Sequence, residues 1–278
     1  MVWVISWALV AIIGITGGIA SFNSVRFSRR VALEMREVAV SAVESVPPTR
    51  EQHDLPLPVS RYIRKAIHRS EPIRTVWLRQ GGRFRTSLDG SWLPIRGTQF
   101  FRTSPPAFIW WGRVRIAPGL WVDARDRAVD GVGNMLVRAE STVTIANSSG
   151  PQLYQGALLR LLGEMTWMPT AFFDRRYVRW SAIDDHRASA TLSINGREVT
   201  GVFEFDADDL PTTFTAERYR DVGGGRSVVT PFIGRSSDYR LVSGVLVPFR
   251  VVGAWIIENE AIEYADFVVE ELAFDRRL

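Results

Sequence analysis

The chain has 278 residues, enough for one large domain or two ordinary ones, and its 46% apolar content excludes disorder over any long span. It has no cysteine, which excludes disulfides, thiol nucleophiles, thiolate metal sites and a lipid-modified N-terminal cysteine. The net charge is +4, and all but one of the 34 basic residues are arginine, the exception being Lys65; the 30 acidic residues are interspersed, so no stripe suited to nucleic acid stands out.

Residues 2–22 are apolar and carry no charge. About 20 such residues span a hydrocarbon core as a helix, and Trp3 and Trp7 stand where interfacial aromatics do. No positive region precedes this run, unlike a cleaved signal peptide; the positive charges follow it, at Arg26, Arg29 and Arg30. The reading is a single-pass anchor in the cytoplasmic (inner) membrane with the rest of the chain cytoplasmic, the alternative being an extracytoplasmic domain. Gly14 and Gly18 have the small-xxx-small spacing that lets a second membrane helix approach, so a membrane-protein partner is a further expectation. Residues 23–46 continue as a juxtamembrane helix with Val31, Met35, Val38 and Ala42 on one stripe. Prolines at 47, 48, 56 and 58 mark a stiff linker over 47–58. The domain proper is expected over 59–278, opening with a short helix over 59–68 whose basic face carries Arg61, Arg64 and Lys65.

From 73 to 145 the pattern is that of strands. They are expected at 73–80, 83–88, 96–103, 107–116, 120–130 and 132–145, with turn chemistry between them at Gly81-Gly82, Asp89-Gly90, Pro118-Gly119 and Gly131. Arginines two apart, at 83 and 85, 113 and 115, and 125 and 127, predict one wet face and one packed face. Residues 108–111 (Phe-Ile-Trp-Trp) are apolar on both faces, which places that strand near a plug or a rim.

The middle of the chain breaks this pattern. Residues 154–173 read as a helix apolar on nearly every side, with Arg160 and Glu164 stacked four apart and a proline at 169 that ends or kinks it. The strand pattern resumes at 177–183, 188–194, 197–205, 212–219, 237–242, 245–252 and 255–271, and Asn195-Gly196 is the strongest hairpin signal. The expected fold is mainly β (α+β): a large curved antiparallel sheet or half-barrel of about eleven strands with a buried plug helix, preceded by one transmembrane helix.

Catalytic signatures are sparse. His53, His68 and His186 show no metal-ligand spacing, and no nucleophile elbow, phosphate loop or dinucleotide fingerprint occurs. Asp123, Asp126 and Asp130 read as a solvated mixed-charge face, and Asp206-Ala-Asp208-Asp209 as an acidic turn lacking the glycine and glutamate of a calcium loop. No cofactor or metal is expected. An apolar cavity with a few placed polar groups is the usual small-ligand site, and Trp110, Trp111, Arg160, Glu164 and Trp167 are the candidate lining.

Several stretches, among them residues 55–64 (Leu-Pro-Leu-Pro-Val-Ser-Arg-Tyr-Ile-Arg), 167–170 (Trp-Met-Pro-Thr), 179–185 and 203–206 (Phe-Glu-Phe-Asp), together resemble a bacterial family of uncharacterised proteins, a domain of unknown function, over about 55–275. That resemblance implies no catalytic residues. The architecture separately looks similar to the lipoprotein-carrier fold of bacterial envelopes, in which an unclosed barrel holds acyl chains against internal helices. The leading expectation is a membrane-anchored, non-catalytic module for a lipid or other apolar ligand. The alternatives are an accessory subunit of a membrane complex and a hydrolase using His186 or paired carboxylates.

Overall fold

The computed structural model describes residues 2–42 and 55–278, with side chains from residue 17 onward. Among these residues, three α-helices, α1 (Val2–Val40), α2 (Leu57–Ala66) and α3 (Pro151–Glu164), accompany thirteen strands. The first six strands are β1 (Thr75–Phe84), β2 (Leu93–Thr103), β3 (Pro106–Ala117), β4 (Leu120–Val129), β5 (Val132–Ala139) and β6 (Val143–Ser149). After α3 come β7 (Val178–Ala182), β8 (Arg187–Ile194), β9 (Arg197–Phe205), β10 (Pro211–Asp221), β11 (Ser227–Val242), β12 (Val245–Ile257) and β13 (Glu260–Phe274).

All thirteen strands form one curled antiparallel sheet, a half-barrel, in the order β6-β5-β4-β3-β2-β1-β13-β12-β11-β10-β9-β8-β7. The chain lays down one wing outward to β6, crosses over, and builds the second wing inward until β13 pairs with β1. The crossover is α3 followed by two 3-10 turns, Met165–Trp167 and Pro169–Phe173. It joins the two edge strands, β6 and β7, and therefore runs across the inner face of the sheet. Pro151 in the first helical turn, after Gly150 at φ 127°, starts α3 earlier than its apolar run suggests. The helix gives way to 3-10 turns ahead of Pro169, whose ring cannot continue it.

Both faces of the first wing are covered. Strand alternation sends Phe101, Phe108 and Trp110 inward to the core built on α3, and Phe100 and Ile109 outward to Phe27, Val31, Met35 and Val38 of α1. This double burial explains the run at 108–111 that is apolar on both sides. It also corrects the expected wet face. Arg125 is 4% exposed beneath α1 and pairs with Glu34 at 3.4 Å, and Asp123, fully buried, pairs with Arg113 at 2.8 Å. Burial holds the Arg125 guanidinium below its ordinary pKa, against the pull of Glu34. Asp126, an odd number of residues from Asp123, faces inward instead.

The expected membrane span and juxtamembrane helix form one unbroken helix. Gly14 and most of the span lie outside the residues whose side chains are described, and among the described residues no helix is long and apolar enough to cross a membrane. Gly18 is exposed, with open space around it. Most of the linker also lies outside the described residues; its end, from Leu57, already belongs to α2, with Pro58 in the first turn.

Other boundaries shift for local reasons. Gly81-Gly82 is not a turn: β1 runs through it, because a Cβ on Gly82 would lie 2.1 Å from the Asp266 carbonyl oxygen of β13. The expected strand over 132–145 is the hairpin β5–β6, turning at Glu140 and Ser141, both at positive φ. The turn between β12 and β13 is Glu258-Asn259, at φ 52° and 67°, a primed hairpin turn without glycine.

Candidate functional site

Leu158, Leu159, Leu161, Leu162, Met165 and Met168 are all buried, so the space between the crossover and the sheet is filled. Arg160 and Glu164 share the α3 face turned to β2, β3 and β4. Arg160 Nε donates to Glu164 Oε1 at 2.9 Å, its Nη1 to Asp126 Oδ2 at 3.0 Å and its Nη2 to Gln99 Oε1 at 3.3 Å. Gln99 Nε2 returns a bond to Glu164 Oε2 at 2.6 Å. The guanidinium also lies over the rings of Trp110, at 4.9 Å, and Phe108, at 5.1 Å. One cation thus faces two carboxylates in a desolvated spot. Burial raises the Glu164 carboxyl pKa, Asp126 adds to the rise, and the bonds from Arg160 and Gln99 only partly oppose it. For Arg160 burial works downward, but the Glu164 and Asp126 charges outweigh it and its pKa is raised.

A row of aromatic rings runs from this cluster across the inner face. Trp110 stacks on Phe267 at 6.3 Å, and Phe267 on Phe84 at 6.3 Å. Phe84 meets Tyr264 edge-on at 5.9 Å, Tyr264 stacks on Trp255 at 5.9 Å, and Trp255 meets Phe232 at 5.6 Å. Arg218 closes the row, 4.5 Å above Phe232. Phe84, Tyr264 and Phe267 are half-buried, so the row borders solvent. The strand register places Phe84 at the end of the sheet where β1 turns to β2. The opposite end is closed by α2. There Tyr62 packs against Phe172 and Phe205, and Arg61 binds Asp209 at 2.6 Å.

Among the described residues, Gln80, the Trp110 indole and the Arg218 Nε at the far end of the row each have buried polar atoms without a hydrogen-bond partner. Gln80 is 2% exposed with neither amide atom hydrogen-bonded, and the Trp110 indole nitrogen, on a residue 5% exposed, is unpaired too. They are neighbours. Gln80 pairs with Gly97 and Gly97 with Gly112 across β1, β2 and β3. The Trp110 ring lies flat over this glycine strip: a Cβ at Gly112 would be 2.3 Å from the ring, and one at Gly97 would be 3.3 Å from Nε1 and 3.6 Å from Gln80 Cγ. Buried unpaired polar groups are rare, and each calls for a water, an ion or a ligand group.

Of the residues expected to line a pocket, Trp110, Arg160 and Glu164 come together. Trp111, one residue on, points through the sheet to its outer face, where its ring meets Phe27 and its Nε1 donates to Asp123 at 3.1 Å. Trp167 is 1% exposed and belongs to the core, donating to the Pro248 carbonyl at 2.8 Å and packing on Phe101. The sequence reading missed Gln80, Gln99, Asp126 and the rings beyond Trp110. Polar side chains at inward strand positions were the signal available for the first three. His186 is an exposed residue of the β7–β8 turn, its backbone N–H bonded to Asp184. The 206–209 segment is a turn whose Asp206 accepts two backbone N–H groups and whose Asp208 and Asp209 face Lys65 and Arg61. Among the described residues no group of three or more potential metal ligands converges. A surface recess of about 310 Å³ lies on the outer face between α1 and the C-terminus, and another of about 250 Å³ beside the start of α3 at Arg197 and Tyr219. The second lies where the first turns of α3 meet β9 and β10, with Tyr154, Leu158 and Val199 also in its lining.

The chain belongs to the family of unknown function DUF6544, whose profile matches residues 45–267. No curated protein matches it at significant similarity. Among solved structures it is similar to a LolA superfamily protein from Nitrosomonas europaea, with 12% identity over 79% of this chain and 94% of that one and a TM-score of 0.44.

Proposed function

We propose that this member of the family is a membrane-anchored, non-catalytic binding module whose half-barrel takes a lipid or other apolar ligand along the aromatic row. The observation that carries the reading is the pair of unpartnered buried groups, Gln80 and the Trp110 indole N–H, at the deep end of a row of aromatic rings whose other end is closed by Arg218. Apolar walls with a few placed polar groups are what a small-ligand site consists of. Entry does not require strand separation: β6 and β7 are not paired to each other, and shifting α3 leaves every strand pairing intact. The uncharged run over 2–22 supplies the anchor, and the exposed Arg26, Arg29 and Arg30 after it favour a cytoplasmic domain.

The test is native mass spectrometry and lipid extraction of the full chain purified in mild detergent, before and after adding dioleoyl phosphatidylglycerol. One bound acyl lipid per chain, lost in Trp110→Ala while the fold persists, is the expected result. No bound species in either experiment overturns the reading. Protease digestion of the domain in intact cells would reverse the orientation. The accessory-subunit reading draws on the open surroundings of Gly18, and a clean monomer in mild-detergent pull-downs argues against it.

A further inference from the structure

An unbroken helix transmits position. α1 runs without interruption from its uncharged segment into the part bound to the outer face of the sheet. The first bonds after that segment are Asn23 Nδ2 to Thr142 Oγ1 at 3.1 Å and, from Arg113 Nη2, to Ser24 Oγ at 2.8 Å. Each helical residue advances about 1.5 Å, so Asn23 and Ser24 sit within about 3 Å, along the axis, of the end of the apolar run at Phe22. The β5–β6 turn and the end of β3 are therefore level with the place where α1 leaves its apolar segment. Further bonds hold that alignment, between Arg125 and Glu34 midway and between Arg102 and Ser41 at the far end.

The surface at this level has a distinct composition. Ile116 and Leu120 flank the β3–β4 turn, and Val143 and Ile145 follow the β5–β6 turn; all are exposed, as are Phe22 and Val25 of α1. Arg26, Arg29, Arg30 and Arg115 are exposed around them, and Glu140 is the acidic residue of the β5–β6 turn. Apolar tips ringed by arginine suit the boundary between acyl chains and anionic headgroups. Among the described residues the other end of this wing shows a smaller set: Val40 at the end of α1 and Val132 at the β4–β5 turn are exposed there, beside the exposed Asp130.

We infer that the β3–β4 and β5–β6 hairpin tips form a second membrane contact, dipping into the headgroup layer of an anionic bilayer and holding the half-barrel against the membrane surface. The partner is the bilayer that receives the N-terminal segment, so the inference rests on the proposed anchor. It adds a fixed pose in which the open end of the aromatic row, at the β1–β2 turn, lies on the membrane side of the sheet. Lipid would then reach the row without crossing bulk water.

The absence of cysteine makes the test direct. Leu120→Cys and Val132→Cys replace residues of matched exposure, 50% and 51%, at opposite ends of β4. About 30 Å of extended strand separates them. The full chain, labelled at either position with an environment-sensitive dye, is reconstituted into phosphatidylcholine–phosphatidylglycerol vesicles, with and without a lipid carrying a shallow nitroxide quencher. The expected result is co-flotation of both, with quenching at Leu120→Cys at least threefold stronger than at Val132→Cys. Val143→Cys should behave like Leu120→Cys. Flotation with equal quenching at all three positions overturns the docking surface and leaves the anchor standing. Failure to float overturns the anchor and the docking with it.

Discussion

Replacing Arg160 by methionine keeps most of the stem that packs on Trp110 and Phe108 and deletes the charge beneath α3. Two carboxylates, Glu164 and Asp126, then lose the cation that both of them bind, and the Gln99 carbonyl loses its donor. The side chains involved are 16% exposed or less, so the cost falls in the range for breaking a buried ion pair, about 3–5 kcal/mol. Losing the cation over two rings adds up to about 1 kcal/mol. For a domain of this size each kcal/mol moves Tm by about 2–4 °C, so a fall of roughly 6–24 °C is expected by thermal unfolding of the detergent-solubilised chain. The triple variant Arg160→Met with Asp126→Asn and Glu164→Gln should recover most of the loss, because removing an entire buried ionic group is far less costly than orphaning part of it. A single variant within about 1 kcal/mol of wild type, or a triple variant that shows the summed losses of its three changes, would refute the placement of α3 on this cluster.

Glu164→Gln alone should cost about 1 kcal/mol, one hydrogen bond to Gln99. Its effect depends on pH with a defined sign. The folded-state pKa of Glu164 is raised above the ordinary 4.5, so the folded chain holds a proton that the unfolded chain releases; this contribution is complete below about 4.5 and is lost as pH rises through the folded value. The Tm of Glu164→Gln relative to wild type should therefore climb between pH 4.5 and neutrality, and a flat or falling difference contradicts the assignment. Gly163→Ala and Gly201→Ala press a methyl group into opposite sides of Phe214, at 2.7 and 2.3 Å, and each should destabilise by about 1–3 kcal/mol, with part of the loss restored by Phe214→Leu. Asp123→Ala leaves the Trp111 indole N–H without its acceptor and takes the carboxylate from Arg113 and Trp121, which keep only Ser141 and, for Arg113, Ser24; a loss of about 3–5 kcal/mol with faster trypsin cleavage at Arg29 and Arg30 is expected, and unchanged proteolysis would mean that α1 is not held there.

The sequence by itself determined the elements whose cause is local. Alternation marked most strands, Asn195-Gly196 and Gly131 marked their turns, and the all-round apolar run with Arg160 and Glu164 four apart marked the crossover helix as buried and self-paired. Periodicity also separated Val31, Met35 and Val38 as one stripe of α1. It could not say what that stripe meets. Whether Arg125 is wet or buried, and whether Trp110 or Trp111 joins the candidate site, depends on which face of the sheet α1 covers and which face α3 covers. That choice was made by strand order: β13 closes on β1, so the connection from β6 to β7 must cross the inner face, and the outer face of the first wing is left for α1. Gly81-Gly82 shows the same limit. Two glycines serve a turn or a close approach equally well, and only the arrival of the Asp266 backbone from the far end of the chain selected the second. Pairings separated by almost 200 residues leave no local pattern, so the unpartnered Gln80, the aromatic row and the level of the hairpin tips against α1 became visible only in the folded chain.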